Sequence, residues 1–132
     1  MRRQAYTDFI SAGKQLSSAQ WKLADSMWDK DSSPSEWQDR FIVVHDAWAV
    51  FSTAAAAVAV AGPSSVAESA ETFRTAMLNV ERAVMTWLNK ARDVGNGQLH
   101  EYEQAFKAAM REKRQPDGDF QAAARAVLQT EA

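Results

Sequence analysis

Two back-to-back runs of seven-residue periodicity constrain this chain more than any other feature. Between Pro34 and Ala61, the residues Trp37, Phe41, Val44, Trp48, Phe51, Ala55 and Val58 recur at alternating spacings of 4 and 3. Between Val66 and Val94 the same spacing runs through Val66, Ala70, Phe73, Met77, Val80, Val84, Trp87, Ala91 and Val94. Each run lines up along one side of an α-helix and must be buried against a neighbour. Only Gly62-Pro63 and two serines separate them. Glycine provides a left-handed helix end and proline forbids continuation. Two long helices joined by so short a turn fold back as an antiparallel hairpin.

The flanking segments extend the pattern. A first helix, about Arg3 to Asp29, carries a stripe of Tyr6, Phe9, Gly13, Leu16, Gln20, Leu23 and Met27. Ser33, Pro34 and Glu36 form a capping box with proline at the first helical position. Ser65 and Glu68 read as a second box opening the third helix. Gly95-Asn96-Gly97 ends that helix, and a shorter fourth, about Gln98 to Arg114, turns Leu99, Tyr102, Phe106, Ala109 and Met110 inward. Pro116-Asp117-Gly118 reads as a turn, with Asp119 capping a fifth helix that bears Phe120, Ala124, Val127 and Leu128. The first three helices each span roughly 40 Å, and the last two together match that length. The expected architecture is all-α. It is an up-down helical bundle of three long helices plus two shorter C-terminal helices forming a broken fourth rod, in a single domain over residues 1–132. Composition agrees: 25 alanines stand against 5 glycines and 3 prolines, and alanine is the best helix former.

Two stretches resemble a pattern found in alanine-rich actinobacterial helical-bundle proteins: Arg3-x-x-Tyr6-x-x-Phe9, and Val58 through Glu68 with its Gly-Pro turn and Val-Ala-Glu restart. The resemblance covers about residues 1–95. It implies the helical hairpin and a bacterial source, and it carries no activity.

Charge and motif content argue against most chemistries. Fifteen Lys+Arg against 17 Asp+Glu leave a net charge of −2, without the basic excess that displaces counterions from nucleic acid. No cysteine is present, which removes thiolate metal sites and cysteine nucleophiles and fits a reducing cytoplasm. His100-Glu101-Tyr102-Glu103-Gln104 begins like a zinc-protease helix, but Gln104 stands where the second histidine belongs. Neither His45 nor His100 has a glutamate three residues before it, as a carboxylate-bridged di-iron bundle needs. His45 and Asp46 point about 100° apart on one helix and form no dyad. Arg111 to Arg114 is the densest basic cluster, and cations suit a helix C-terminus without any ligand. No catalytic residue, metal or cofactor is assigned, and the chain is expected not to be an enzyme.

Two features point to binding. No charge occurs from Ala47 to Ala67, and Val50, Ala54, Ala57 and Ala61 make a continuous apolar strip beside the seam of helix two. That strip should be buried by another helix, either the C-terminal one around Phe120 and Val127 or a second copy of the chain. Trp21 and Trp28 lie seven apart at the edge of the first helix's stripe, and Trp37 lies across the following turn. Such tryptophans either fill the wide core of a helix that faces two neighbours or, where exposed, act as partner hot spots. Phe41 to Ala61 is long enough to span a membrane, but its polar residues and weakly lipophilic alanines argue against a span. The resulting expectation is a cytoplasmic, non-enzymatic helical interaction protein, self-associating as a dimer or binding a protein partner. The alternative is a sensor or carrier that holds an apolar small molecule between the helices.

Overall fold

A computed structural model of the chain describes residues 1–131. It is all helical: α1 (Arg2–Trp28), α2 (Pro34–Ala61), α3 (Ser64–Val94), α4 (His100–Glu112) and α5 (Arg114–Glu131). The helices run up and down, and α4 with α5 makes one bent rod. α1 and α3 form the middle of the bundle, α2 lies along one side of them and the α4–α5 rod along the other. The α1 stripe is buried over its whole length, Gly13 and Gln20 included. Its centre is an aromatic cluster in which Phe9 stacks on Phe51, with ring centroids 4.9 Å apart, and meets Phe73 and Phe120 edge-on. The absent side chain at Gly13 makes room for this, since a Cβ there would stand 3.2 Å from the Phe73 ring.

Alanines set the α1–α2 contact. Ala5, Ala12 and Ala19 on α1 and Ala47, Ala54 and Ala61 on α2 each repeat every seven residues. Arg2 Nε donates to Ala61 O at 3.0 Å and the Tyr6 hydroxyl donates to Gly62 O. This antiparallel register sets Ala5 level with Ala61, Ala12 with Ala54 and Ala19 with Ala47. Small side chains at matching heights let two helices approach closely.

Several expected details take a different form. Ser33 caps α2 as anticipated, its Oγ accepting from Glu36 N. Ser65 caps nothing: α3 begins one residue earlier, and the Pro63 carbonyl accepts from Val66 N and Ala67 N. Gly62 has φ 61° but ψ −161°, so it is an extended positive-φ turn rather than a left-handed cap. It still requires glycine. The left-handed cap is Gly95, with φ 72° and ψ 22°. α4 starts at His100 rather than at Gln98, because Gln98 N donates to Asn96 Oδ1 and Leu99 N to Gly97 O. Pro116-Asp117-Gly118 is not a turn, and Asp119 is not a cap. The break falls at Lys113, and Pro116 sits in the first turn of α5. The proline ring collides with the carbonyl four residues back, which here belongs to Glu112, the last residue of α4.

The C-terminal helix does not cover helix two. α5 packs on α3 and α1, and Phe120 joins the aromatic cluster with Tyr6 and Phe9. The strip on α2 therefore splits. Ala54 and Ala61 turn toward α1 and are wholly or partly buried, whereas Val50 and Ala57 face outward.

Candidate functional site

Two surfaces gather the residues singled out above. The first is the outer face of α2. Its inner seam (Trp37, Val44, Phe51 and Val58) is buried, yet the opposite side is apolar as well. Ile42, Val43 and Val50 are each about half exposed, and Val60 is 86% exposed. Val43, Asp46, Val50, Thr53, Ala57 and Val60 follow one another at spacings of 3, 4, 3, 4 and 3, a second seven-residue seam set roughly 150° round the helix from the first. Where alanines leave the surface low, a groove of about 530 Å³ runs between α2 and the polar rim of α1 formed by Asp8, Ser11 and Gln15. At its far end Met1, Ala5, Ala56 and Val60 line a second hollow. Among the described residues, α2 is the one helix long and apolar enough to cross a membrane, with a mean hydropathy of 1.6 over its most apolar window.

The second is a cavity of about 350 Å³ where α1, α3 and α4 meet. Trp21, Ala24, Asp25 and Trp28 are one face of α1. Glu103, Phe106 and Lys107 come from α4, and Trp87 from α3. The rings stand at steep angles: Trp21 to Phe106 at 84° with centroids 5.0 Å apart, and Trp28 to Trp87 at 73° and 6.5 Å. The base is held firmly. Trp87 Nε1 donates to Gly97 O at 2.8 Å, and Gln98 Nε2 donates to Trp28 O at 2.9 Å. Gly97 lies flush against α1, so a Cβ there would stand 2.0 Å from Met27 O.

Trp21 and Trp28 share this cavity, but Trp37 does not. It is 3% exposed in the core and donates its indole N–H to Ser32 Oγ at 2.9 Å, out of reach of any partner. The stripe pattern had already placed Trp87 and Phe106 inside. What it lacked was the order of the rods, which decides that both face the α1 tryptophans.

The remaining candidates line neither of these two surfaces. His45 is exposed on the α3 side of α2, and among the described residues no three His, Asp or Glu side chains stand close enough to hold a metal. Lys113 Nζ donates to Ser17 Oγ at 3.2 Å, and burial pulls the lysine below its ordinary pKa, with Asp117 opposing and Arg114 assisting. That pair has the composition of a nucleophile and its base. Ser17 sits in the middle of α1, whose own backbone N–H groups are committed to the helix, so α1 offers none to an oxyanion. Gln20 is fully buried against half-buried Glu81, whose carboxyl burial pushes up while the Gln20 hydrogen bond and His45 hold it down. No family model, curated protein or solved structure matches this chain.

Proposed function

We propose that the protein is a non-enzymatic helical interaction module that self-associates through the outer face of α2. The second seven-residue seam on that face carries the proposal. Four of its six positions, Val43, Val50, Ala57 and Val60, are apolar, and apolar residues at such spacing interdigitate with a facing helix. The spacing reads the same in both directions, so two copies of α2 related by a two-fold axis present matching seams to each other. An antiparallel pairing centred on Ala55 sets Val50 against the partner's Val60 and Thr53 against its Ala57. It leaves Asp46 beyond the apolar zone, beside the partner's Gly62 turn and the N-terminal end of α3, where a carboxylate is favoured by the helix dipole. Small residues suit helix-to-helix contact. A helix that lies on a lipid surface carries bulky apolar residues flanked by Lys and Arg, and from Ala47 to Ala67 no Lys or Arg occurs.

Light scattering or sedimentation tests the proposal directly. The wild type should sediment at twice 14.6 kDa, and Ala57→Glu should return it to the monomer. Ala57 is exposed within one chain, so the variant should keep its helicity and melting temperature measured as a monomer. A wild type that stays monomeric at high concentration overturns self-association, and a variant that stays dimeric overturns the outer face of α2 as its seat. Binding to lipid vesicles by the monomer would instead assign the face to a membrane surface.

A further inference from the structure

We infer that Asn96, in the turn between α3 and α4, is a self-modifying site. Its side-chain amide closes on the backbone nitrogen of Gly97, loses ammonia and is opened by water to aspartate or isoaspartate. The site lies apart from the α2 face and stands or falls separately.

Three observations place the reacting groups. Asn96 is exposed, and the residue after it is a glycine, with no side chain to screen its nitrogen. Gly97 is itself a buried residue, yet among the described residues its N–H makes no hydrogen bond. A buried backbone N–H is ordinarily paired, and one that is already free gives up no bond when it reacts. Asn96 Oδ1 accepts from Gln98 N at 3.0 Å. A donor on that oxygen polarises the amide and meets the negative charge that grows there when the carbon is attacked. The other two asparagines lack this arrangement. Asn79 and Asn89 lie inside α3, where the N–H that follows each is committed to the helix.

The step balances with water and hydroxide as the other reactants. Hydroxide removes the Gly97 N–H proton, and the nitrogen bonds to Asn96 Cγ while the charge on Oδ1 develops beside Gln98 N. The Cγ–Nδ2 bond then breaks, and that nitrogen takes a proton from water and leaves as ammonia. The product is a five-membered succinimide, which water opens at either carbonyl. Cleavage at Cγ leaves aspartate in an ordinary chain. Cleavage at the main-chain carbonyl leaves isoaspartate, with the chain running through Cβ and one carbon longer. The turn has no slack for that carbon. Gly97 lies so close to α1 that a Cβ on it would stand 2.0 Å from Met27 O. Its carbonyl holds the Trp87 indole at 2.8 Å, and Gln98 Nε2 holds Trp28 O at 2.9 Å. Isoaspartate therefore pulls the turn away from both tryptophans and loosens α4 from α1 and α3.

Peptide mapping by mass spectrometry tests this on the whole chain, held folded or unfolded in guanidinium chloride at one mildly alkaline pH. The Asn96 peptide should gain the mass difference between an amide and an acid, while the Asn79 and Asn89 peptides keep theirs. The folded rate should equal or exceed the unfolded one. A slower folded rate would show that the turn protects Asn96 and overturn the inference, whatever the variants do. Gln98→Pro removes the N–H that meets Oδ1. Leu99 N donates to Gly97 O at 2.9 Å and Gln98 has a negative φ, an inverse γ-turn whose central residue suits proline. That variant should react about tenfold more slowly, and Gln98→Ala, which keeps the N–H, at the wild-type rate. Equal rates in the two folded variants would overturn the role of Gln98 N. The isolated isoaspartyl form should melt below wild type and shift the Trp87 indole N–H signal in NMR, whereas Asn96→Asp should do neither. An isoaspartyl form that matches wild type in both would overturn the loosening of α4.

Discussion

Glu81 gives the sharpest check on the packing of α1 against α3. Gln20 is wholly buried, its Nε2 donates to Glu81 Oε1 at 2.9 Å, and its own Oε1 has no hydrogen-bond partner. An ionised carboxylate has no proton to offer that oxygen. A protonated Glu81 does, and a cyclic pair then satisfies both side chains. Burial raises the Glu81 pKa, opposed by the Gln20 hydrogen bond and by His45 of α2. A carboxyl whose pKa is higher folded than unfolded stabilises the fold fully below its unfolded value. That contribution is lost as pH rises through the folded value. Glu81→Gln keeps the shape and supplies a permanent N–H donor. An unsatisfied buried acceptor costs about 1–3 kcal/mol, from which the lost charge-assisted bond and the His45 attraction must be subtracted. The expected net gain at pH 7 is about 1 kcal/mol, or about 3 °C in melting temperature for a domain of this size. Paired denaturant titrations of both proteins from neutral pH to about pH 4 measure it, and every other carboxylate cancels in the difference. The gap should close as Glu81 protonates. A variant no more stable than wild type at pH 7, or a gap independent of pH, would refute the reasoning.

Other positions give expectations of opposite sign. Gly97→Ala should destabilise by more than about 2 kcal/mol, because its Cβ would overlap the Met27 carbonyl. Gly118→Ala, in α5 with open space around it, should stabilise by about 0.5–1 kcal/mol. Both are read from thermal melts, and equal effects would contradict the helix boundaries at Lys113. Gly62→Val should lose about 1–3 kcal/mol, since φ 61° with ψ −161° belongs to glycine. Phe51→Ala, fully buried among Phe9, Trp48 and Phe73, should lose about 3–5 kcal/mol of unfolding free energy.

What the sequence disclosed divides along a physical line. Periodicity is local, and it located the first three helices and every member of the α1 stripe, while of the two expected serine caps only Ser33 formed. The Pro116 segment misled because proline is equally at home in a turn and in the first turn of a helix. The deciding contact, between its ring and the Glu112 carbonyl, exists only once α4 has been built up to that residue. The cavity was legible in part. Trp21 and Trp28 at a spacing of seven declare a face, but the identity of Trp87 and Phe106 as the opposite walls depends on which rods are neighbours. Seven-residue seams say that a helix has neighbours without saying which.

The same reasoning explains why α2 can look like an interior helix and yet lie outside. Its neighbours use two adjoining sectors. The aromatic and valine seam is buried in the bundle, and the Ala47, Ala54 and Ala61 column meets the alanines of α1. The α4–α5 rod lies on the far side of α1 and α3, so no helix among the described residues packs on the remaining sector. A lone bundle needs that sector only to be soluble, which any Lys or Glu achieves. Val43, Val50 and Val60 in their place expose β-branched apolar side chains that lower helix propensity and gain nothing from packing inside the monomer. A sequence that accepts that disadvantage on one outward sector, while keeping ordinary charge elsewhere, is the pattern on which the proposed self-association rests.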